Sequence, residues 1–307
     1  MLLLANAFWG LSFPLIKALA YEHQRLLPGS GSWYVTCGLL APRFVLASAL
    51  LALWLRGAWR KLTRSEFRQG AGLALFAAAG MLCQSDGLQY TSASTSAFLT
   101  QLYVILIPLW VAWRTRRAPP AVVWVACGLV LAGVAVLGRV DWRELRLGRG
   151  EVETLVSAFF FMGQILLLDH RGFAGNRPLH VTLVMFVVGA LIFVPLVLAL
   201  APQPADLAAL AASAPWWGFS AGLTLLCTIG SFVIMNTWQP RITATEAGLI
   251  YCTEPVFAAL LALFLPAWFS SWAGFDYPNE TVTLNLLLGG GLVTAANVII
   301  QWKPPPP

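Results

Sequence analysis

A carboxylate stands beside a proline in the middle of an apolar stretch, TEAGLIYCTEPVFAALLALF, which runs from Thr245 to Phe264. Glu254 is the carboxylate and Pro255 is the proline. An unpaired carboxylate in a medium of low dielectric constant is expected to be protonated, whereas a nearby cation would keep it ionised. The protonated group could load and release protons, and the ionised group could be half of a structural ion pair. The sequence leaves both roles open.

Arg43 is the second charge that lies deep inside an apolar segment, about eight residues from its start. A charge in such a position is expected to have a partner, because isolated buried charges are costly. The partner could be a structural carboxylate, Glu254 among them, or an anionic group of a substrate. Lys17 lies nearer a segment end, where its long side chain can extend to the membrane interface.

Six other polar or aromatic side chains inside apolar segments are candidate substrate contacts. They are Trp9, Gln84, Gln101, Gln164, Asn236 and Tyr251. Each has a structural alternative, because a tryptophan ring can simply pack and an amide can bond two helices at about 0.6–2 kcal/mol. Pro108 and Pro255 are expected to interrupt their helices, because a proline in a helix frees a backbone carbonyl.

Several kinds of chemistry have no motif in the chain. The sequence contains no GxxxxGK or HExxH pattern, which argues against ATP-driven transport by this chain alone and against a common zinc hydrolase site. The three histidines fall in predicted loops, and the five cysteines lack the spacing of metal ligands. We therefore expect no metal site and no cofactor.

The composition shows where these residues lie. Hydrophobic residues make up 59% of the 307 positions and charged residues only 10%, whereas soluble domains are about half apolar and a quarter charged. We therefore predict an all-α integral membrane protein, because continuous apolar segments of this length suit helices and not barrel strands. The ten predicted spans are 1–20, 35–55, 70–90, 93–113, 120–138, 154–169, 180–201, 215–238, 243–268 and 284–302.

The basic residues predict an orientation. Outside the spans, twelve lysines and arginines fall on the side that holds both termini, and five fall on the other: Arg25, Arg139, Arg143, Arg146 and Arg149. The side richer in basic residues is normally cytoplasmic, so both termini are predicted to be cytoplasmic. The net charge of +6 then indicates topology and not nucleic-acid binding.

The two halves of the chain resemble each other. A shift of 150 residues places GLQYTSASTSAFL, from Gly87, on TWQPRITATEAGL, from Thr237. We therefore predict ten transmembrane helices in two inverted five-helix repeats, 1–138 and 150–302, because an odd number of helices per repeat turns the second repeat upside down. Such repeats are typical of transporters with a substrate site near the midplane. Gln101 and Tyr251 occupy equivalent positions in this match.

Five motifs in order resemble the EamA family of the drug/metabolite transporter superfamily. They are FWGLSFPLIKA at Phe8, PRFVLASALL at Pro42, QYTSASTSAFLTQLYVILIPL at Gln89, GEVETLVSAFFF at Gly150 and AGLIYCTEPVFAALLA at Ala247. The resemblance implies ten helices, cytoplasmic termini, alternating access and export of amino acids or other small metabolites. The segment 266–280 departs from the family pattern, in which a compact Gly-Glu turn follows helix nine. Asn279 and Glu280 could be that turn, displaced.

These observations predict a secondary transporter, an inner-membrane exporter of small metabolites, and not an enzyme. Its expected partners are a small-molecule substrate and the lipid bilayer, with protons as a candidate coupling ion and no nucleic acid. The alternative is a membrane-embedded enzyme or a lipid-handling protein, in which Glu254 and Arg43 would transfer protons or hold a lipid headgroup. A catalytic site should bring a nucleophile and a base together, and the sequence shows no such cluster.

Overall fold

The computed structural model describes residues 1–91, 93–137, 147–201 and 203–301. These residues form helices and connections, and none of them lies in a β-strand. The prediction of an all-α protein is therefore confirmed for the described chain. Arg139, Arg143, Arg146 and Lys303, which contribute to the predicted orientation, lie outside the described residues, as do the predicted repeat ends at 138 and 302.

The described part of the first half forms six α-helices. They are α1 (Leu2–Leu26), α2 (Ser32–Trp54), α3 (Arg64–Gly87), α4 (Ala93–Thr100), α5 (Tyr103–Thr115) and α6 (Ala121–Leu137). α3 begins at a capping box, in which the Thr63 hydroxyl accepts from the Glu66 amide and the Glu66 carboxylate accepts from the Thr63 amide. α4 and α5 together occupy the fourth predicted span and are separated at Gln101 and Leu102.

The described part of the second half forms nine α-helices of different lengths. They are α7 (Arg149–Leu168), α8 (Pro178–Leu200), α9 (Pro204–Ala211), α10 (Ala214–Gly222), α11 (Ser231–Trp238), α12 (Ala244–Tyr251), α13 (Glu254–Ala262), α14 (Leu265–Ala273) and α15 (Leu284–Gln301). A π-helical segment, Leu223–Gly230, joins α10 to α11. α12 and α13 are separated at Cys252 and Thr253, one position away from the equivalent of the α4–α5 break.

Within the described residues, length and composition identify six helices that could cross a membrane, and a seventh span if one bent pair is counted as one. The six are Leu2–Leu26, Ser32–Trp54, Phe98–Thr115, Arg149–Leu168, Pro178–Leu200 and Ala214–Arg241. The bent pair is Ala244–Ala262 with Leu265–Ala273, which meet at 56°. α6 and α15 are apolar but shorter. The arrangement with ten spans stays a prediction.

The ninth predicted span, 243–268, is not one continuous helix. It is interrupted at Cys252–Thr253 and again at Leu263–Phe264. Pro255 and Pro266 are each the second residue of the helix that follows an interruption, where a missing amide proton costs nothing. Proline can start a helix but cannot continue one, and the two prolines therefore divide this apolar segment into α12, α13 and α14.

The insertion 266–280 folds back on the bundle. The Asn279 side-chain oxygen accepts from the Ala267 amide at 2.8 Å, and the Glu280 amide donates to the Ala262 carbonyl at 2.9 Å. These two bonds tie the end of the insertion to the end of α13 and the start of α14. Lys17, on the exposed side of α1, places its ammonium 5.2 Å from the centre of the Tyr277 ring.

The helices pack in pairs that join the two halves of the chain. α3 packs against α7 and α8, α2 against α8, and α6 against α15, while α1 packs against α13 and against the α10–α11 segment. Two of these helix contacts involve glycines that the shift of 150 residues places on each other, Gly80 and Gly230. A Cβ atom at Gly80 would lie 2.7 Å from Phe161, and one at Gly230 would lie 3.1 Å from Phe8. Each of the two contacts thus joins a glycine of one half to a phenylalanine of the other.

Candidate functional site

A cavity of about 110 Å³ lies between helices of both halves. Its walls come from α1, α2, α3, the α4–α5 break, α7, α11 and the α12–α13 break. The lining residues are Trp9, Ser12, Ile16, Leu40, Arg43, Met81, Gln84, Ser85, Thr100, Tyr103, Phe161, Gln164, Ile165, Phe232, Met235, Tyr251 and Glu254. Apolar and aromatic walls with a few polar groups are the usual construction of a small-molecule site.

Five of the seven predicted substrate-contact residues line this cavity: Trp9, Gln84, Gln164, Tyr251 and Glu254. The other two do not. Gln101 is buried at the α4–α5 break, and its side-chain oxygen has no hydrogen-bond partner within the described part of the chain. The Asn236 amide donates to the Thr182 hydroxyl at 2.9 Å, and Asn236 therefore joins α11 to α8 by a hydrogen bond.

Two ionisable side chains, one basic and one acidic, line the cavity without pairing with each other. The Arg43 side chain is only 3% exposed, and its Nε donates to the Thr228 hydroxyl at 3.2 Å. The described residues contain four ion pairs, and neither Arg43 nor Glu254 takes part in any of them. The two side chains therefore share a cavity but are not the ion pair that the sequence left open.

Thr228 owes its position to the π-helical segment. Its hydroxyl donates to the carbonyl of Leu223, five residues earlier, at 2.9 Å. Thr224, in the same segment, donates instead to the carbonyl four residues earlier, as in an ordinary helix. The wider turn therefore places the Thr228 oxygen where it can also accept from Arg43. π-helical turns often occur at functional sites.

The α12–α13 break is held from α1 by Asn6. The Asn6 side-chain amide donates to the Ile250 carbonyl at 2.5 Å and to the Thr253 hydroxyl at 2.7 Å. The Thr253 hydroxyl in turn donates to the same carbonyl at 2.8 Å. The Ile250 carbonyl also accepts from the Thr253 amide at 3.1 Å, so the bonds from Asn6 fasten the turn at this interruption to α1.

Pro108 has a different setting, inside α5 and away from the α4–α5 break. The carbonyl four residues earlier, that of Val104, accepts from the thiol of Cys127 on α6 at 3.3 Å. The carbonyl that Pro108 frees is thus satisfied between helices. Pro255 directly follows the interruption of its span, whereas Pro108 lies six residues after the break in α4–α5.

An aromatic wall forms one side of the cavity. The Trp9 ring meets Tyr251 edge to face at 5.4 Å and Phe232 at 5.6 Å. The Tyr251 hydroxyl donates to the Gln239 side chain at 2.9 Å, and Gln239 donates to the Ile165 carbonyl at 2.8 Å. Tyr251 therefore presents its ring to the cavity and is held by its hydroxyl. None of the described hydrogen bonds joins it to Gln101.

Two side-chain amides supply the remaining polar groups that were predicted. Gln84 donates to the Thr100 hydroxyl at 3.1 Å. Gln164 is almost fully buried, and its amide nitrogen has no hydrogen-bond partner among the described residues. Buried polar atoms are normally paired, so an unpaired donor beside a cavity is the group that a ligand or an ordered water would satisfy.

Sequence reasoning missed several residues of the site. Ser12, Ser85, Thr100 and Tyr103 line the cavity, and Thr228 holds Arg43. Serine and threonine in apolar segments are common and give no distinct signal, because their hydroxyls can bond to their own helix. Glycines at Gly222 and Gly230 flank the segment that contains Thr228, and they are the feature that could have drawn attention to it. The described residues contain no cluster of three or more His, Cys, Asp or Glu side chains placed to hold a metal.

Comparison with known proteins gives three similarities. Residues 1–139 match the profile of the EamA-like transporter family. A protein of Archaeoglobus fulgidus described as an "Uncharacterized transporter" is 23% identical over 318 residues, which cover 98% of this chain and 85% of that protein. A solved structure described as "Crystal structure of protein" aligns with a TM-score of 0.61 at 16% identity and covers 96% of both chains. This last similarity concerns the fold alone.

Proposed function

Because its first 139 residues match the EamA-like transporter family, we propose that this protein is a secondary transporter that exports amino acids or other small metabolites across the inner membrane. Its apolar helices and this match support an integral membrane protein. The proposal adds to them a substrate site, a mechanism and a direction. Each of these has its own support in the sequence or in the geometry of the cavity.

The substrate site is the cavity that contains Arg43 and Glu254. An uncompensated charge inside a membrane protein is costly, and these two have no partner in each other. A substrate with both a carboxylate and an ammonium group would compensate both at once. The observation that carries the proposal is therefore that a basic and an acidic side chain, Arg43 and Glu254, line one cavity without pairing with each other. The ring wall around Trp9 and Tyr251 would receive the apolar part of such a substrate.

The cavity has the size of a small metabolite. A cavity needs about 10–15 Å³ to admit one water, and the volume of about 110 Å³ observed here is several times that minimum, which leaves room for a small molecule. The free amide of Gln164 and the hydroxyls of Ser12 and Ser85 could satisfy polar groups of the substrate or of waters that remain.

Alternating access is supported by the paired interruptions. The α4–α5 and α12–α13 breaks fall within one position of equivalence in the two proposed repeats, 1–138 and 150–302, and both border the cavity. Broken helices at the junction of inverted repeats are a recurring feature of secondary transporters. In this mechanism the repeats rock around the cavity and open it to one side at a time. The excess of basic residues on the side of the termini supports cytoplasmic termini.

Transport by purified protein in vesicles tests the proposal. We expect labelled amino acids to exchange across the membrane, and analogues that lack either the carboxylate or the ammonium group to exchange at least tenfold more slowly. Glu254→Ala should abolish exchange of the zwitterion. Glu280→Gln, which removes an exposed carboxylate from the insertion, is the control and should transport normally. If folded wild-type protein moves no member of a broad metabolite panel, the proposed function is wrong.

A further inference from the structure

The start of α3 has one face fixed to the second half of the chain. Glu66 and Gln69 are buried, and both bond to residues that precede α8. Arg177 donates to the Glu66 carboxylate through Nε at 2.6 Å, and Asn176 donates to the Gln69 side chain at 2.8 Å. Arg177 also donates to the backbone carbonyl of Lys61 at 2.5 Å, so the turn before α3 is fixed as well.

The opposite face of the same turns is exposed and bears two cations around an aromatic ring. Arg64, Phe67 and Arg68 are spaced by three and four residues and therefore lie side by side on the helix. Together with Leu62 and Thr63 they line an open groove of about 240 Å³. Phe67 is 52% exposed, and no carboxylate of the described residues lies within 4 Å of either guanidinium.

We propose that this groove binds an anionic glycerophospholipid of the adjacent leaflet. The phosphate would lie between the guanidinium groups of Arg64 and Arg68, which form strong charge-assisted hydrogen bonds with phosphate oxygens. The glycerol and the first methylenes would cover Phe67. Leu75, eight residues further along the same face, is 61% exposed and continues the apolar path of an acyl chain into the membrane.

Charge and position favour a lipid over a soluble anion. Arg56, Arg60 and Lys61 belong to the turn that leads into the groove, so positive charge extends on one side of it. Clusters of this kind next to a membrane span attract anionic lipids. A soluble anion would contact the arginines but would leave Phe67 and Leu75 exposed. Because the buried face of α3 is held by Arg177 and Asn176, the groove keeps its shape without a ligand.

Binding of phosphatidylglycerol to the purified full chain tests this proposal, with native mass spectrometry as the readout. We expect wild-type protein to retain phosphatidylglycerol in preference to phosphatidylcholine. Arg64→Gln with Arg68→Gln should weaken binding by about tenfold or more, because hydrogen bonds to charged groups are each worth roughly that factor. Arg114→Gln with Arg117→Gln is the control. It removes two exposed arginines near the end of α5 and should leave binding within twofold.

Three results would overturn the proposal. Equal loss in the control pair would show attraction to basic residues in general, and equal retention of phosphatidylcholine would show that the headgroup charge is not recognised. Displacement of the lipid by inorganic phosphate, with no effect of Phe67→Gln, would indicate a site for a soluble anion. A thermal unfolding curve for each variant identifies any that does not fold. Transport is not measured, so the outcome is independent of the proposed function.

Discussion

At the scale of single residues, Glu254 and Arg43 set the character of the cavity. Both are charged types in an apolar bundle, both line the same space, and neither is neutralised by the other. A structural lock between α2 and α13 would need a direct contact that the described structure does not contain. A substrate or a proton that occupies the cavity during each cycle would offset the free-energy cost of leaving these two groups without each other as partners.

Glu254→Gln distinguishes a coupling role from a structural one. The amide keeps the shape of the side chain but cannot exchange a proton. We expect the variant to fold and to retain exchange of substrate, more slowly than wild type because its amide oxygen can still accept a hydrogen bond from the ammonium group, and to lose accumulation driven by a pH gradient. The measurement is uptake into vesicles with and without an imposed gradient. If Glu254→Gln misfolds, and an uncharged residue at position 43 restores folding, the acid is a structural partner and the coupling role is excluded.

Thr228 is predicted to position Arg43. Thr228→Val removes the acceptor of the Arg43 hydrogen bond, and a bond to a charged group is worth about 1.5–3 kcal/mol, or tenfold or more in affinity. We therefore expect KM for a carboxylate-bearing substrate to rise about tenfold, and Thr228→Ser to restore it.

Thr224→Val is the matched control for that prediction. Thr224 is a buried threonine of the same π-helical segment, and its hydroxyl bonds only to its own backbone. Its loss should cost similar stability without raising KM. If both valine variants raise KM equally, the effect comes from the segment as a whole and the role given to Thr228 is wrong.

At the scale of helices, interruptions organise the site. α12 and α13 would otherwise form one apolar helix, and Asn6 supplies the hydrogen bonds that allow the chain to break within it. The first half has its own interruption at Gln101 and Leu102. Backbone groups at such breaks cannot be left without partners in the interior of a membrane. The elements that form the cavity are therefore held by side chains that do not themselves contact a ligand.

Asn6→Ala should destabilise the fold more than a similar change elsewhere. It removes two hydrogen bonds between α1 and the α12–α13 break, each of which contributes about 0.5–1.5 kcal/mol. Asn297→Ala is the control, because Asn297 is also buried but bonds only to the Val293 carbonyl of its own helix. Unfolding in detergent measures both. A difference below about 0.5 kcal/mol would contradict the role of Asn6, given the usual spread for neutral sites.

The contact between α3 and the start of α8 predicts an acid-sensitive share of stability. The Arg177 guanidinium, bonded to Glu66, lowers the pKa of that carboxyl to about 2, from an ordinary value of 4.5. The carboxyl lies before the third predicted span. Because its folded-state pKa is depressed, its stabilisation is complete above pH 4.5 and is lost as the pH falls towards 2.

Glu66→Gln should therefore lower the unfolding temperature at pH 7 and have a much smaller effect near pH 2. Thermal unfolding of both proteins across this range measures the difference. Glu280→Gln again provides a carboxylate that is exposed, and its effect should stay small at every pH. A difference between wild type and Glu66→Gln that does not shrink with acid would show that Glu66 stabilises by shape and not by charge.

At the scale of the whole molecule, the sequence allowed much of the fold to be predicted, but less of the site. Long apolar segments identified the helices, because a membrane requires every backbone group to be satisfied locally. The spacing of polar residues in them pointed to five side chains that do line the cavity. The partners of Tyr251 and Arg43 could not be predicted, because they depend on which helices meet. The π-helical turn also depends on packing, and it gave no periodic signal.

The orientation of the whole chain rests on the arrangement of basic residues, and it is the last prediction. Twelve lysines and arginines lie on the predicted cytoplasmic side and five on the other, a difference large enough to direct insertion. Ala118→Cys, in the exposed turn between α5 and α6, should therefore be shielded from an impermeant thiol reagent in whole cells. Asp276→Cys, exposed in the insertion after α14, should be labelled. Wild-type protein gives the background, because four of its five cysteines are buried and Cys83 is partly so. Permeabilised cells should label both variants. The reverse pattern in intact cells would show that the orientation is opposite to the one predicted, with both termini outside the cytoplasm. Equal labelling of the two variants would indicate that the chain inserts in both orientations.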